Sequence, residues 1–116
     1  MTESQNSKLY DLEDRTFQFA KSVALYIKQL PKSISNLEYS RQVVDSSGSV
    51  GANYIEANEA LSKKDFVMRI KACRKEAKEP TYWLRLVIET NEERWRQVGE
   101  NPLNDALELR KYFLLS

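Results

Sequence analysis

The chain has 116 residues, 30% of them charged and 41% hydrophobic, and a net charge of +1. Three glycines, three prolines, one cysteine and no histidine exclude a turn-rich β fold, a disulfide framework and a zinc site within one chain. A near-neutral charge makes no demand for a nucleic-acid or membrane partner.

One domain is expected at this length, over residues 9–116, after a polar, disordered tail at 1–8. The start lacks the apolar run of a secretory signal, and no window approaches eighteen apolar residues. A cytoplasmic chain away from membranes is the expectation.

Asp11 is the expected cap of a first helix. Leu12, Thr16, Phe19, Val23, Tyr26/Ile27 and Leu30 then follow at steps of three and four, which puts them on one face. Pro31 marks the stop. Ser35 and Glu38 read as a capping box opening a second helix. Val43, Ser47, Val50, Tyr54, Ala57 and Leu61 carry its apolar register. That register passes without slipping through Ser46–Ala52, so an unbroken helix is expected despite Gly48 and Gly51. Small side chains there would let a neighbouring helix approach closely.

Ser62 and Asp65 signal a third helix after a short connection, hence an antiparallel neighbour. Phe66, Ile70, Cys73, Ala77, Leu84, Val87/Ile88 and Asn91 form its apolar face. Pro80 sits inside this pattern, so a kinked but continuous helix is expected, or two helices meeting near Glu79-Pro80. Asn101-Pro102 reads as a cap followed by a first-position proline. The last helix, with Leu103, Ala106/Leu107, Leu109/Arg110 and Phe113/Leu114, would be short. Four capped helices with short connections predict an all-α, antiparallel up-down four-helix bundle.

A family resemblance rests on Leu30-Pro31, Gln42-Val43, Ser46-Ser47, Ser49 to Ala57, Ser62 to Phe66, Arg74 to Ala77 and Tyr82 to Leu84. With Leu12, Arg15-Thr16 and Phe19-Ala20, these closely resemble the bacterial four-helix-bundle proteins called 23S ribosomal RNA intervening-sequence proteins, over about residues 9–115. The resemblance implies a left-handed antiparallel bundle and a ring-shaped homopentamer. It also implies kinship with a branch that serves reverse transcriptases of diversity-generating retroelements as a nucleic-acid-binding accessory. Two features depart from the pattern. Pro80 stands where a small polar residue is usual, and the basic excess of the retroelement branch is missing.

Between Lys63 and Arg85 there are eight basic residues and three acidic ones, a local +5. Lys64, Lys71, Lys75, Lys78 and Arg85 fall within about 80° of helical arc, opposite the apolar face, with Arg74 nearby. They read either as a stripe that binds the phosphates of RNA or DNA, or as a solvated face pairing with acids such as Glu89 and Glu108.

Arg41, Asn53, Glu56 and Glu76 read as a structural polar network, in which Arg41 or Arg74 would neutralise buried carboxylates. The competing reading is a pocket or paired-carboxylate site. Tyr82, Trp83 and Leu86, with Tyr39, Tyr54 and Trp95 adding to them, read as a self-association surface or as packing against the last helix. Without histidine no Ser-His or Cys-His pair forms within the chain, so no catalytic residue, metal or cofactor is expected, and the sequence names no small-molecule ligand. A homo-oligomer is the partner expected first.

Overall fold

The structure is a computed structural model that describes residues 3–115, with side chains described over 12–114. Five helical segments follow one another: α1 (Glu3–Ile27), α2 (Ile34–Asn58), α3 (Lys63–Glu76), α4 (Lys78–Thr90) and α5 (Glu93–Leu115). They make four rods, α3 and α4 being two pieces of one rod. There is no strand among the described residues. The rods form a bundle of 45 × 25 × 18 Å. α1 packs on α2 and α5, and the α3–α4 rod packs on the same two. Short connections fold each rod back along its predecessor.

The core follows the three-four register. Leu12, Thr16, Phe19, Val23, Tyr26 and Leu30 are buried from the first rod, and Val43, Ser47, Val50, Tyr54 and Ala57 from the second. Ile70, Cys73, Ala77, Leu84, Val87 and Ile88 come from the third, and Ala106, Leu109 and Phe113 from the last. Gly51 lets α1 come close: a Cβ there would lie 3.1 Å from Thr16 Oγ1. α2 is unbroken across Ser46–Ala52, as expected.

Helix boundaries depart from the expectations in five places. α1 begins at Glu3, so Asp11 lies inside a helix and does not cap it. No glycine or proline interrupts residues 3–27. Of the expected tail, Met1 and Thr2 lie outside the described residues. α2 is capped by Ser33, whose side chain accepts from the Asn36 N–H at 3.1 Å, and not by Ser35.

α2 also ends at Asn58, before Leu61, which is wholly exposed instead of continuing the core register. Ser62 caps α3 as expected, accepting from the Asp65 N–H. The third rod breaks at Ala77, against a continuous kinked helix and in line with the alternative of two helices meeting near Pro80. Pro80 has no N–H for the Glu76 carbonyl, and its ring would clash with that carbonyl in a regular helix, so α3 stops at Glu76.

α5 is long, beginning at Glu93, with Pro102 inside it. Asn101 is therefore no cap. Pro102 removes one bond, to the Val98 carbonyl, and α5 runs on through it.

Candidate functional site

The residues of the expected polar network separate into three pairings. Asn53, half-buried on α2, donates through Nδ2 to the Ser49 carbonyl at 2.9 Å and to Glu76 Oε2 at the end of α3. Glu56, two residues further along α2 than Tyr54, is exposed and pairs with Arg69 at 3.0 Å. Arg69 also bonds Asp65 at 3.1 Å. Arg41 bonds Glu38, one turn back on its own helix, at 3.1 Å. Gln42 and then Arg41 hold the Glu38 carboxyl below its usual range.

Neither Arg41 nor Arg74 neutralises a buried carboxylate, because Glu56 reaches solvent and Glu76 finds an amide. What remains is a seam tying α2 to α3. It does not bring two carboxylates together for chemistry.

Cys73 is buried beside this seam. Desolvation first, and the negative charge of Glu76 second, push its thiol up to about 11. The thiolate is the reactive form, so this thiol is inert at neutral pH.

The basic residues lie on the outside of the third rod. Lys64, Lys71, Lys75, Lys78 and Arg85 are exposed and Arg74 is half-buried. The turn at Ala77 divides them between α3 and α4. Arg85 lies 4.0 Å from Glu89. Among the described residues, Lys64, Lys71, Lys75 and Lys78 have no ion pair.

Of the aromatic surface, Tyr82 is 60% exposed and meets half-buried Trp83 edge-on at 5.0 Å. Trp83 also packs against Tyr39 at 6.1 Å and donates to Glu79 Oε1 at 3.2 Å. Leu86 is half-buried. Tyr54 does not join this surface: it is buried against Phe113 at 5.9 Å, because position 54 falls in the core register.

Two features had no place in the sequence reading. Asn36 and Asn91 exchange side-chain bonds, each amide donating to the other at 2.8 Å. They tie the start of α2 to the end of α4. Asn36 stands seven residues before Val43, in the core phase, which was the available signal. The second is an apolar outer face on α2, where Leu37, Val44 and Ile55 are exposed. A groove between α1 and α5, lined by Arg15, Phe19, Asp105 and Tyr112 among others, measures about 130 Å³. Pockets for drug-sized ligands run to about 300–1,000 Å³, so it is small for such a ligand.

The model of the family described as 23S rRNA-intervening sequence protein matches residues 9–109. The chain belongs to that family. A solved structure from Bacteroides thetaiotaomicron, a protein with unknown function from the S23 ribosomal protein family, is similar at 32% identity and a TM-score of 0.72. The likeness covers 89% of this chain and 94% of the other. No curated protein matches. As an intervening-sequence family member, the chain shares its fold with a protein whose own role is open. Among its described residues, no helix is long and apolar enough to cross a membrane.

Proposed function

We propose that this chain is a non-enzymatic, cytoplasmic helical scaffold that associates with copies of itself, encoded in or descended from an intervening sequence of 23S rRNA. The observation that carries it is apolar surface left outside a completed core. Tyr82 stands exposed beside Trp83 and Leu86, although Leu84, Val87 and Ile88 of the same helix already fill the interior. Withdrawing a large apolar side chain from water is worth roughly 1.5–3 kcal/mol, a gain open to this surface between subunits. The non-enzymatic part rests on residue chemistry: there is no histidine, the one thiol is buried and un-ionised, and Glu56 and Glu76 have separate partners.

The family resemblance implies five subunits. Sedimentation velocity at micromolar concentration is expected to give a multiple of 13.5 kDa, about 67.5 kDa for a ring of five. A monomer would contradict the reading.

The four lysines without an ion pair support a second reading, a nucleic-acid-binding accessory module. It expects RNA or DNA binding by anisotropy that falls steeply with salt. It also expects reversal of Lys71, Lys75 and Lys78 to glutamate to abolish that binding. No binding at low salt would end it.

A further inference from the structure

Two of the three glycines have a reason inside the subunit. A Cβ on Gly51 would crowd Thr16, and one on Gly99 would lie 2.5 Å from Tyr26 Oη. A Cβ on Gly48 would meet nothing within 4 Å. Yet Gly48 sits in the middle of a 25-residue helix, where glycine costs about 1 kcal/mol relative to alanine. Nothing in its own subunit requires it.

Gly48 is the centre of an outward-facing stripe. Leu37, Val44, Gly48, Ala52 and Ile55 fall within about 80° of arc on α2, and all are exposed. The stripe runs for about 27 Å along the helix. Two charged residues share the arc, Arg41 toward one end and Glu59, at the C-cap, at the other. Just past the helix end stands the fully exposed Leu61.

We propose that a second copy of this chain docks on this stripe, the two α2 helices lying antiparallel about a twofold axis between Gly48 and Ala52. In that register Gly48 of each copy meets Ala52 of the other, and Val44 meets Ile55. Arg41 meets Glu59, and Leu37 comes beside Leu61. The face is therefore complementary to itself in charge as well as in apolarity, which selects a copy of this chain as the occupant. Small residues at the centre let the axes approach toward the short end of the usual 8–10 Å. Arg41 already bonds Glu38, but through Nη2, and a guanidinium carries further donors.

This proposal rests on the self-association reading and says where one contact lies. A twofold contact joins copies in pairs and closes no ring of five. A ring contact around Tyr82 and Trp83 would be separate, and both together would pair two rings.

The test is the sedimentation mass of the full chain and of two variants, Gly48→Glu and Val44→Glu, with folding checked by circular dichroism. The open space at Gly48 lets the first variant fold. The expected mass of the unmodified chain is about 27 kDa for the α2 pair alone, or about 135 kDa where the pair joins two rings of five, halved by either variant; an unmodified chain at about 67.5 kDa overturns the α2 contact but not self-association. Variants that fold and leave the mass unchanged overturn the α2 contact but not self-association. A monomeric unmodified chain overturns both.

Discussion

Along α2, Val43, Ser47 and Tyr54 are buried, while Val44, Gly48 and Ile55, each one residue further on, face outward. The inner set fills a core shared with α1, α3 and α4, and Tyr54 reaches Phe113 of α5. The outer set is nearly as apolar yet stays open, with Val44 and Ile55 exposed and nothing within 4 Å of a Cβ placed on Gly48. A helix at the surface of a bundle ordinarily keeps its outward face polar. α2 has one face made for its own chain and another that folding alone does not explain.

Truncation gives the largest contrast between the two faces. Tyr54→Ala is expected to lose about 3–5 kcal/mol in chemical denaturation, through the cavity left beside Phe113. Ile55→Ala is expected to stay within about 0.5 kcal/mol in the dissociated subunit, while weakening association. Equal losses in the separated subunit would erase the distinction.

The glycines sharpen it next. Gly99→Ala forces a methyl against Tyr26 and Ile88 and is expected to destabilise by about 1–3 kcal/mol. Gly48→Ala meets open space and is expected to stabilise the subunit by up to about 1 kcal/mol. Melting of both variants at low protein concentration checks the opposite signs.

A pH series reaches two buried groups of the core. Burial raises the Cys73 thiol from 9.0 to about 11 and the Tyr26 hydroxyl from 10.0 to about 12. The unfolded chain therefore releases these protons first as pH rises. Their contribution is complete below pH 9, declines from pH 9 to 11 for Cys73 and from pH 10 to 12 for Tyr26. A melting temperature that held steady over that range would contradict the burial of both groups.

The core was legible wherever a helix ran on. Leu12 to Leu30 and Val43 to Ala57 repeat at three and four, and burial follows that spacing. Leu61 kept the spacing but lost the helix, so it reached solvent. Asn101-Pro102 carries the local chemistry of a helix start, and a missing N–H looks the same in the first turn and in the interior. Pro80 reads as interior and Pro102 as a first-turn residue, yet a break falls before Pro80 and none at Pro102. Trp95, Gly99, Pro102 and Ala106 stand four, three and four apart and all pack inward, a spacing that the cap-like Asn101-Pro102 pair hides.

Among the candidate site residues, the Asn53–Glu76 bond joins positions brought together by the α2–α3 turn, while Arg41 stayed with its own helix. The Asn36–Asn91 pair lies 55 residues apart in sequence and needed the fold to be seen. The outer stripe of α2 is faint in the sequence because Gly48, Ala52 and Arg41 within it carry little or no apolar signal.

The smallest expected effect is also the most selective. Arg41 and Glu59 lie at the rim, where a single ion pair is worth about 0.2–1 kcal/mol, doubled by the twofold axis. Arg41→Glu and Glu59→Arg are each expected to weaken pairing about tenfold in sedimentation equilibrium. The double variant, which exchanges the two charges, is expected to restore it. A double variant that pairs no better than the weaker single one would contradict the antiparallel α2 contact.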